Sequence, residues 1–301
     1  MKSEKLIEKI LKLKKEKNAI ILAHNYQLGE VQDIADFVGD SLELSRKAAE
    51  TDAEVIVFCG VDFMTETAAV LNPKKVVLHP EPLAKCPMAA MITPETLIAE
   101  KRKHPNAQVV CYVNTSAAVK AESDICCTSA NAVKVIESLN TEEILFVPDQ
   151  YLGHYVSTQT DKKIILYPGF CPTHLRILPE IAEESKRKYP EAKFVAHPEC
   201  RPEVIALADA VLSTSGFCRY AMGEEVKEML VGTEIGIIHR LRKENPEKRF
   251  IPVSEQAVCP NMKLITLDKI LWSLEEMEPK VKVSPDVLHR AKEAVDRMLS
   301  I

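Results

Sequence analysis

The sequence has no CxxC or CxxxCxxC spacing anywhere, although it carries nine cysteines. Zinc ribbons and the cluster loops of radical enzymes are thereby excluded. It also has no apolar stretch approaching a membrane span. Nor is there an excess of positive charge. The 39 Lys and Arg face 44 Asp and Glu, a formal net charge of −5, which argues against a nucleic-acid-binding face. The basic opening, Lys12 to Lys17, is interleaved with Glu16 and reads as the solvated face of a helix. Residues Met1 to Lys17 lack the apolar core of a signal peptide. The expectation is a soluble, cytoplasmic protein with neither membrane nor nucleic acid as partner. In a reducing compartment an odd number of cysteines does not suit a disulfide framework.

What is present is a repeated α/β pattern. Ala19–His24, Glu54–Gly60 and Lys75–Pro80 read as buried strands, with helix-like stretches at Ser41–Glu50 and Phe63–Leu71. A second pass has strands at Gln108–Val113, Glu143–Val147 and Lys163–Pro168, with a helix at Ser129–Leu139. The third starts at Lys193–Pro198, continues through Glu224–Leu230 and Ile237–Glu244, and ends at Arg249–Ser254. Such alternation implies parallel sheets with helices on both faces.

Polar landmarks fall in register across the three passes. His24, Tyr112 and His197 close the first strands, and Ser41, Ser129 and Thr214 follow seventeen residues later in each. An acid comes next, at Asp62, Asp149 and Glu234. Last comes a cysteine followed by proline, at Cys86, Cys171 and Cys259. Strand spacing alone does not produce a recurrent Cys-Pro, so the chain is read as a triplicated unit. The expected architecture is three tandem homologous α/β/α three-layer units with parallel sheets around a pseudo-threefold axis. Residues 1–18 would form an N-terminal helix. The units would span 19–105, 106–190 and 191–275, and 276–301 would be a C-terminal helical tail.

The landmarks lie just past strand ends, where parallel sheets bind ligands, so they would converge. Three cysteines from three units are too few for structural zinc, which takes four protein ligands. On a [4Fe–4S] cube they would leave one iron without a protein ligand, free to act as a Lewis acid. Taken singly, the same thiols could be buried residues capping strands. Cys59 and Cys111 read as strand core, and Cys126, Cys127 and Cys218 as core by default. Asp40-Ser41, Thr128-Ser129 and Ser213-Thr214 could simply cap helices. Three helix N-termini aimed at one centre would also attract carboxylate or phosphate.

At these residues the chain resembles the quinolinate synthase family. The matching stretches are Ala23-His-Asn-Tyr26, Asp33-Ile-Ala-Asp36, Gly39-Asp-Ser41, Gly60-Val-Asp-Phe-Met64, Tyr112-Val-Asn-Thr-Ser116 and Thr128-Ser-Ala-Asn131. Cys171-Pro-Thr-His174, His197-Pro-Glu-Cys200, Gly232-Thr-Glu-Ile235 and Val258-Cys259 continue the match through nearly the whole chain. A C-terminal CxxCxxC carried by some members is absent, since Cys259 is followed by Pro260-Asn-Met262. No redox switch on that motif is expected.

The resemblance implies condensation of iminoaspartate with dihydroxyacetone phosphate to quinolinate, with loss of phosphate and water, in NAD biosynthesis. It implies a [4Fe–4S] cluster on Cys86, Cys171 and Cys259 with one open iron. His24, Ser41, Tyr112, Asn114, Ser129, His197, Ser213 and Thr214 would bind the anionic substrates. Tyr26 and Glu199 would move protons, with His174 close by. A functional link to an L-aspartate oxidase or dehydrogenase supplying iminoaspartate follows from the same resemblance. Two competing readings are another cluster-dependent hydro-lyase and a non-catalytic iron–sulfur sensor. The sensor has no use for the Ser/Thr set.

Overall fold

The computed structural model describes residues 2–301. Its strands form three separate four-stranded sheets, one per unit. Unit one holds β1 (Ala19–His24), β2 (Phe37–Gly39), β3 (Val55–Cys59) and β4 (Val76–Leu78). Unit two holds β5 (Gln108–Tyr112), β6 (Ile125–Cys127), β7 (Glu143–Val147) and β8 (Lys163–Leu166). Unit three holds β9 (Lys193–Ala196), β10 (Ala210–Val211), β11 (Glu228–Gly232) and β12 (Arg249–Pro252). The orders are β2-β1-β3-β4, β6-β5-β7-β8 and β10-β9-β11-β12, one topology three times over. Every pairing is parallel.

Hydrophobic periodicity gives no sign of β2, β6 and β10, because two or three residues are too short to show alternation. A polar device marks them instead. Asp36, Asp124 and Asp209 each precede the short strand and accept from a backbone N–H in the first strand of their unit. The donors are Ile21 (2.8 Å), Val109 (2.7 Å) and Phe194 (2.7 Å), each fifteen residues earlier. Two of the expected elements are displaced. The helix read from Ser129 begins at Ala132, because Thr128–Asn131 forms a turn in which Asn131 Oδ1 accepts from the Thr128 N–H at 2.8 Å. Strand β11 occupies the second half of Glu224–Leu230 and runs on to Gly232, after a turn.

Alternate strand residues serve different cores, as the period of two requires. In unit one Leu22, Ile56 and Phe58 join the central core, whereas Ile21, Ala23, Val55 and Val57 face an outer layer. In unit three Val195, Met229 and Val231 face the centre and Phe194, Ala196 and Leu230 face outward. Both faces of sheet two belong to the central core, through Val109, Val110, Leu145 and Phe146. The outer layer of unit one includes Ile10 of helix Lys2–Glu16 and Ile270 and Leu274 of helix Leu267–Glu276. That second helix lies within 191–275, the span expected for unit three, yet packs on unit one. Helix Pro285–Leu299 closes unit two, lying on helix Ala117–Ala121 and β6. Among the described residues, no helix is long and apolar enough to cross a membrane.

Candidate active site

The carboxyl ends of strands from all three sheets open on one cavity. Unit one lends His24, Tyr26, Asp40, Ser41 and Cys86 to its wall, unit two Tyr112, Asn114, Ser129, Cys171 and His174, and unit three His197, Glu199, Thr214 and Cys259. Phe63, Met64, Met88 and Met262 supply much of the apolar lining. Ser213 is not part of that wall. Its hydroxyl donates to Asp40 Oδ2 at 3.1 Å and accepts from the Gly216 N–H, capping helix Thr214–Ala221. Thr214 faces the cavity in its place, with its Oγ1 accepting from Asn25 Nδ2 at 2.8 Å. Asn25 in turn accepts from Arg240 at 2.9 Å.

His24 ends β1 and His197 follows β9, and the chain treats them alike. The Tyr26 N–H donates to His24 Nδ1 at 3.2 Å, and the Glu199 N–H donates to His197 Nδ1 at 3.3 Å. Burial pushes His24 down to about 4, against the pull of Asp40. His197 is pushed down to about 3 by burial and by neighbouring His174. Both rings are therefore neutral at pH 7, and an accepting Nδ1 leaves the proton on Nε2. Each presents an N–H donor.

Between them runs a hydrogen-bonded chain that crosses all three units. The Tyr26 hydroxyl meets Thr233 Oγ1, and Thr233 Oγ1 meets His174 Nε2 at 2.9 Å. His174 Nδ1 lies 2.8 Å from Glu199 Oε2, and the Tyr112 hydroxyl donates to Glu199 Oε1. One donor order runs throughout: Tyr26 donates to Thr233, Thr233 to His174 Nε2, and His174 Nδ1–H to Glu199 Oε2. The same Nδ1 is 3.1 Å from Cys171 Sγ, and the ring stacks on His197 at 4.6 Å. Burial alone would raise Glu199, but His174, His197 and Tyr112 hold it well below the usual carboxylate range. The Tyr26 and Tyr112 hydroxyls are pushed far up, first by burial and then by the Glu199 charge, so they remain donors.

Cys86, Cys171 and Cys259 are the half-buried cysteines, whereas Cys59, Cys111, Cys126, Cys127, Cys200 and Cys218 are buried. Burial raises all three cavity thiols, and they act on one another: Cys259 raises Cys86, and Cys86 raises Cys171. Another donor group lies beside them. The ligand atoms of Cys171, His174 and Glu199 fall within 4.8 Å of one another.

Thr233, in the hydrogen-bonded chain, and Thr173, in the cavity wall, carry no landmark in the sequence. Thr233 stands beside the acid landmark Glu234, in the Gly232-Thr-Glu-Ile235 stretch. Asn114 Oδ1 is buried without a hydrogen-bond partner among the described residues, and its side chain is in the cavity wall.

The chain is similar to known proteins over its whole length. The family described as quinolinate synthetase A protein matches residues 8–300. A protein named quinolinate synthase from Dehalococcoides mccartyi (strain CBDB1) is 64% identical, covering 100% of both chains. One of that name from Methanosarcina barkeri (strain Fusaro) is 58% identical over 100% of this chain and 99% of its own. Another, from Geobacter sp. (strain M21), is 54% identical with the same coverage.

Proposed function

Because the chain belongs to the quinolinate synthetase A family, we propose that it is a quinolinate synthase of NAD biosynthesis. It would condense iminoaspartate with dihydroxyacetone phosphate, giving quinolinate, one phosphate and two waters. The observation that carries this reading is the meeting of a proton-handling chain and three half-buried thiols in one cavity built by three units.

The donor set fits a [4Fe–4S] cluster. Three thiols that raise one another are poor neighbours as bare anions, and a cationic iron–sulfur core reverses that cost. Cys86, Cys171 and Cys259 would hold it. When bound, such a cluster supplies an iron without a protein ligand, a Lewis acid that eases loss of hydroxide.

The protein's own groups would do the rest. Nε2–H of His24 and His197, the hydroxyls of Ser41, Ser129 and Thr214, and the Asn114 amide suit carboxylates and phosphate. Making an aromatic ring requires several proton transfers. Glu199 is a carboxylate held ionised and can receive a proton through His174. That proton comes from the Tyr26 hydroxyl by way of Thr233, the direction in which the donors point, so loss at one side of the cavity is linked to gain at the other. Burial of the cavity keeps water from an imine that hydrolyses readily.

A second reading is a mononuclear metal on Cys171, His174 and Glu199. It would have to break the bonds these groups already make with one another. Anaerobic purification followed by iron, sulfide and quinolinate assay separates the two. Iron and sulfide in equal amounts with quinolinate formed is the expected result. A single metal without sulfide, or no quinolinate, would overturn the proposal.

A further inference from the structure

The acids after the third strand of each unit, Asp62, Asp149 and Glu234, take no part in the chemistry above, yet they recur in register. Each meets the Cys-Pro segment of its own unit. Asp62 Oδ1 accepts from the Cys86 N–H at 3.0 Å, and Glu234 Oε1 accepts from the Cys259 N–H at 3.0 Å. The backbone answers in the other direction. The Asp62 N–H donates to Ala84 O at 2.9 Å, and the Ile235 N–H donates to Ala257 O at 3.0 Å. In unit two the Gln150 N–H donates to Gly169 O at 2.8 Å. Ala84, Gly169 and Ala257 each stand two residues before their cysteine. The acid of unit two differs: Asp149 Oδ1 accepts from the Tyr151 and Leu152 N–H groups at 2.8 Å, and Oδ2 makes no hydrogen bond among the described residues, although the nearby Cys171 amide helps to lower Asp149.

The full clasp is built in units one and three, and unit two repeats its backbone half. Its need follows from the sequence. The residue after each cysteine is proline, which has no N–H, so the cysteine amide is the last backbone donor before the segment bends. Fixing that amide, and the carbonyl two residues earlier, fixes the direction of the Cα–Cβ bond and hence where the sulfur points.

Resting on the cluster reading above, we propose that Asp62 and Glu234, with Asp149 in the matching place of unit two, are positioning residues that aim the three cysteine sulfurs at a common centre. They act through the cysteine amides and touch neither substrate nor iron. Unit one offers the cleaner test, because Glu234 also holds Lys263 at 2.9 Å.

The experiment uses the full chain, reconstituted anaerobically with iron and sulfide, and follows iron release to a chelator. Asp62→Ala and Glu234→Ala should release iron roughly 10-fold or more faster than the parent, the usual scale for partners of metal ligands. Asp62→Asn and Glu234→Gln keep an acceptor and should hold iron nearly as the parent does. Asp209→Ala is the control. It removes an acid–amide bond at the far end of sheet three and should lower thermal stability without hastening iron release.

A second readout needs no cluster. In the apoprotein, hydrogen exchange at the Cys86 and Cys259 amides should quicken in the alanine variants and not in Asp62→Asn or Glu234→Gln. Parent-like iron release together with parent-like exchange in the alanine variants would overturn the proposal. So would release from Asp209→Ala as fast as from Asp62→Ala. Should an alanine variant not fold, loss of amide protection in Asp62→Asn would refute the hydrogen-bond account, and retained protection would support it. A parent that takes up no iron counts against the cluster reading alone, and the exchange result still decides the clasp.

Discussion

Tyr26 and Glu199 hold matching places, two residues past His24 and His197, and lie at two points of one hydrogen-bonded chain. Unit two has Asn114 at that place, which does not titrate near neutral pH. Tyr26→Phe and Glu199→Gln should keep the fold and the iron while lowering kcat by roughly 10²-fold or more. A change confined to KM would mark uniform binding instead. The two histidines set a separate pH dependence. In an unfolded chain histidine titrates near 6.5, whereas His24 sits at about 4 and His197 at about 3. Below about pH 6.5 the unfolded state therefore takes up protons that the folded state refuses, and stability falls as pH falls toward those folded values. Each should remove roughly 2 kcal/mol by pH 5. Glu199, held below the carboxylate range, contributes its loss only at lower pH. Urea unfolding of the apoprotein at pH 7 and pH 5 measures the fall. The His24→Gln, His197→Gln double variant should flatten it, and an unchanged slope would place the effect elsewhere.

Among the elements, the segment between β8 and Cys171 depends on the absence of a side chain. A Cβ at Gly169 would stand 2.5 Å from the carbonyl oxygen of Pro148, a backbone atom with nowhere to go. Gly169→Ala should therefore push the segment off the end of β7, costing about 1–3 kcal/mol and lowering iron retention. Gly223→Ala is the contrast. Its Cβ would first meet the far end of the Glu225 side chain, which can swing aside, and stability should hardly change. Thermal unfolding and iron analysis of the two variants side by side check this. Helix starts show how far local sequence goes. Asp40 makes a full capping box with Glu43, so a helix from Ser41 is written locally. At Ser129 the same residue type sits in a turn closed by Asn131, and seventeen-residue spacing alone does not reveal that difference.

For the molecule as a whole, the ends of the chain are part of the architecture. Helix Pro285–Leu299 buries Ala291, Ala294, Val295 and Met298 and packs on unit two, which lies far from it in sequence. Arg290 pairs with Glu122 at 2.6 Å, and Arg297 donates to Asp124 O at 2.7 Å. Ending the chain at Val283 should cost roughly 3–6 kcal/mol from Val295 and Met298 alone. The loosening should show first as faster hydrogen exchange in Ala117–Ala121 and Ile125–Cys127. Exchange that rises equally in sheet three would contradict this local role.

At every scale the sequence by itself determined what depends on near neighbours and on repetition. Buried strands announce themselves as apolar runs, and a triplicated unit repeats its landmarks, so three of the four strands in each sheet and many of the cavity residues are legible in the sequence. Cys86, Cys171 and Cys259 stood out from six other cysteines through the proline that follows each. What only the tertiary structure decided depends on contacts between units. Thr233 joins the hydrogen-bonded chain because unit three brings it against His174 of unit two, 59 residues away. Ser213 turns from the cavity because Asp40, 173 residues away, takes its hydroxyl. Helix Leu267–Glu276 covers unit one rather than its sequence neighbour because an apolar helix face can be buried by any complementary surface. Burial is non-directional, and the pattern of one segment does not name its partner.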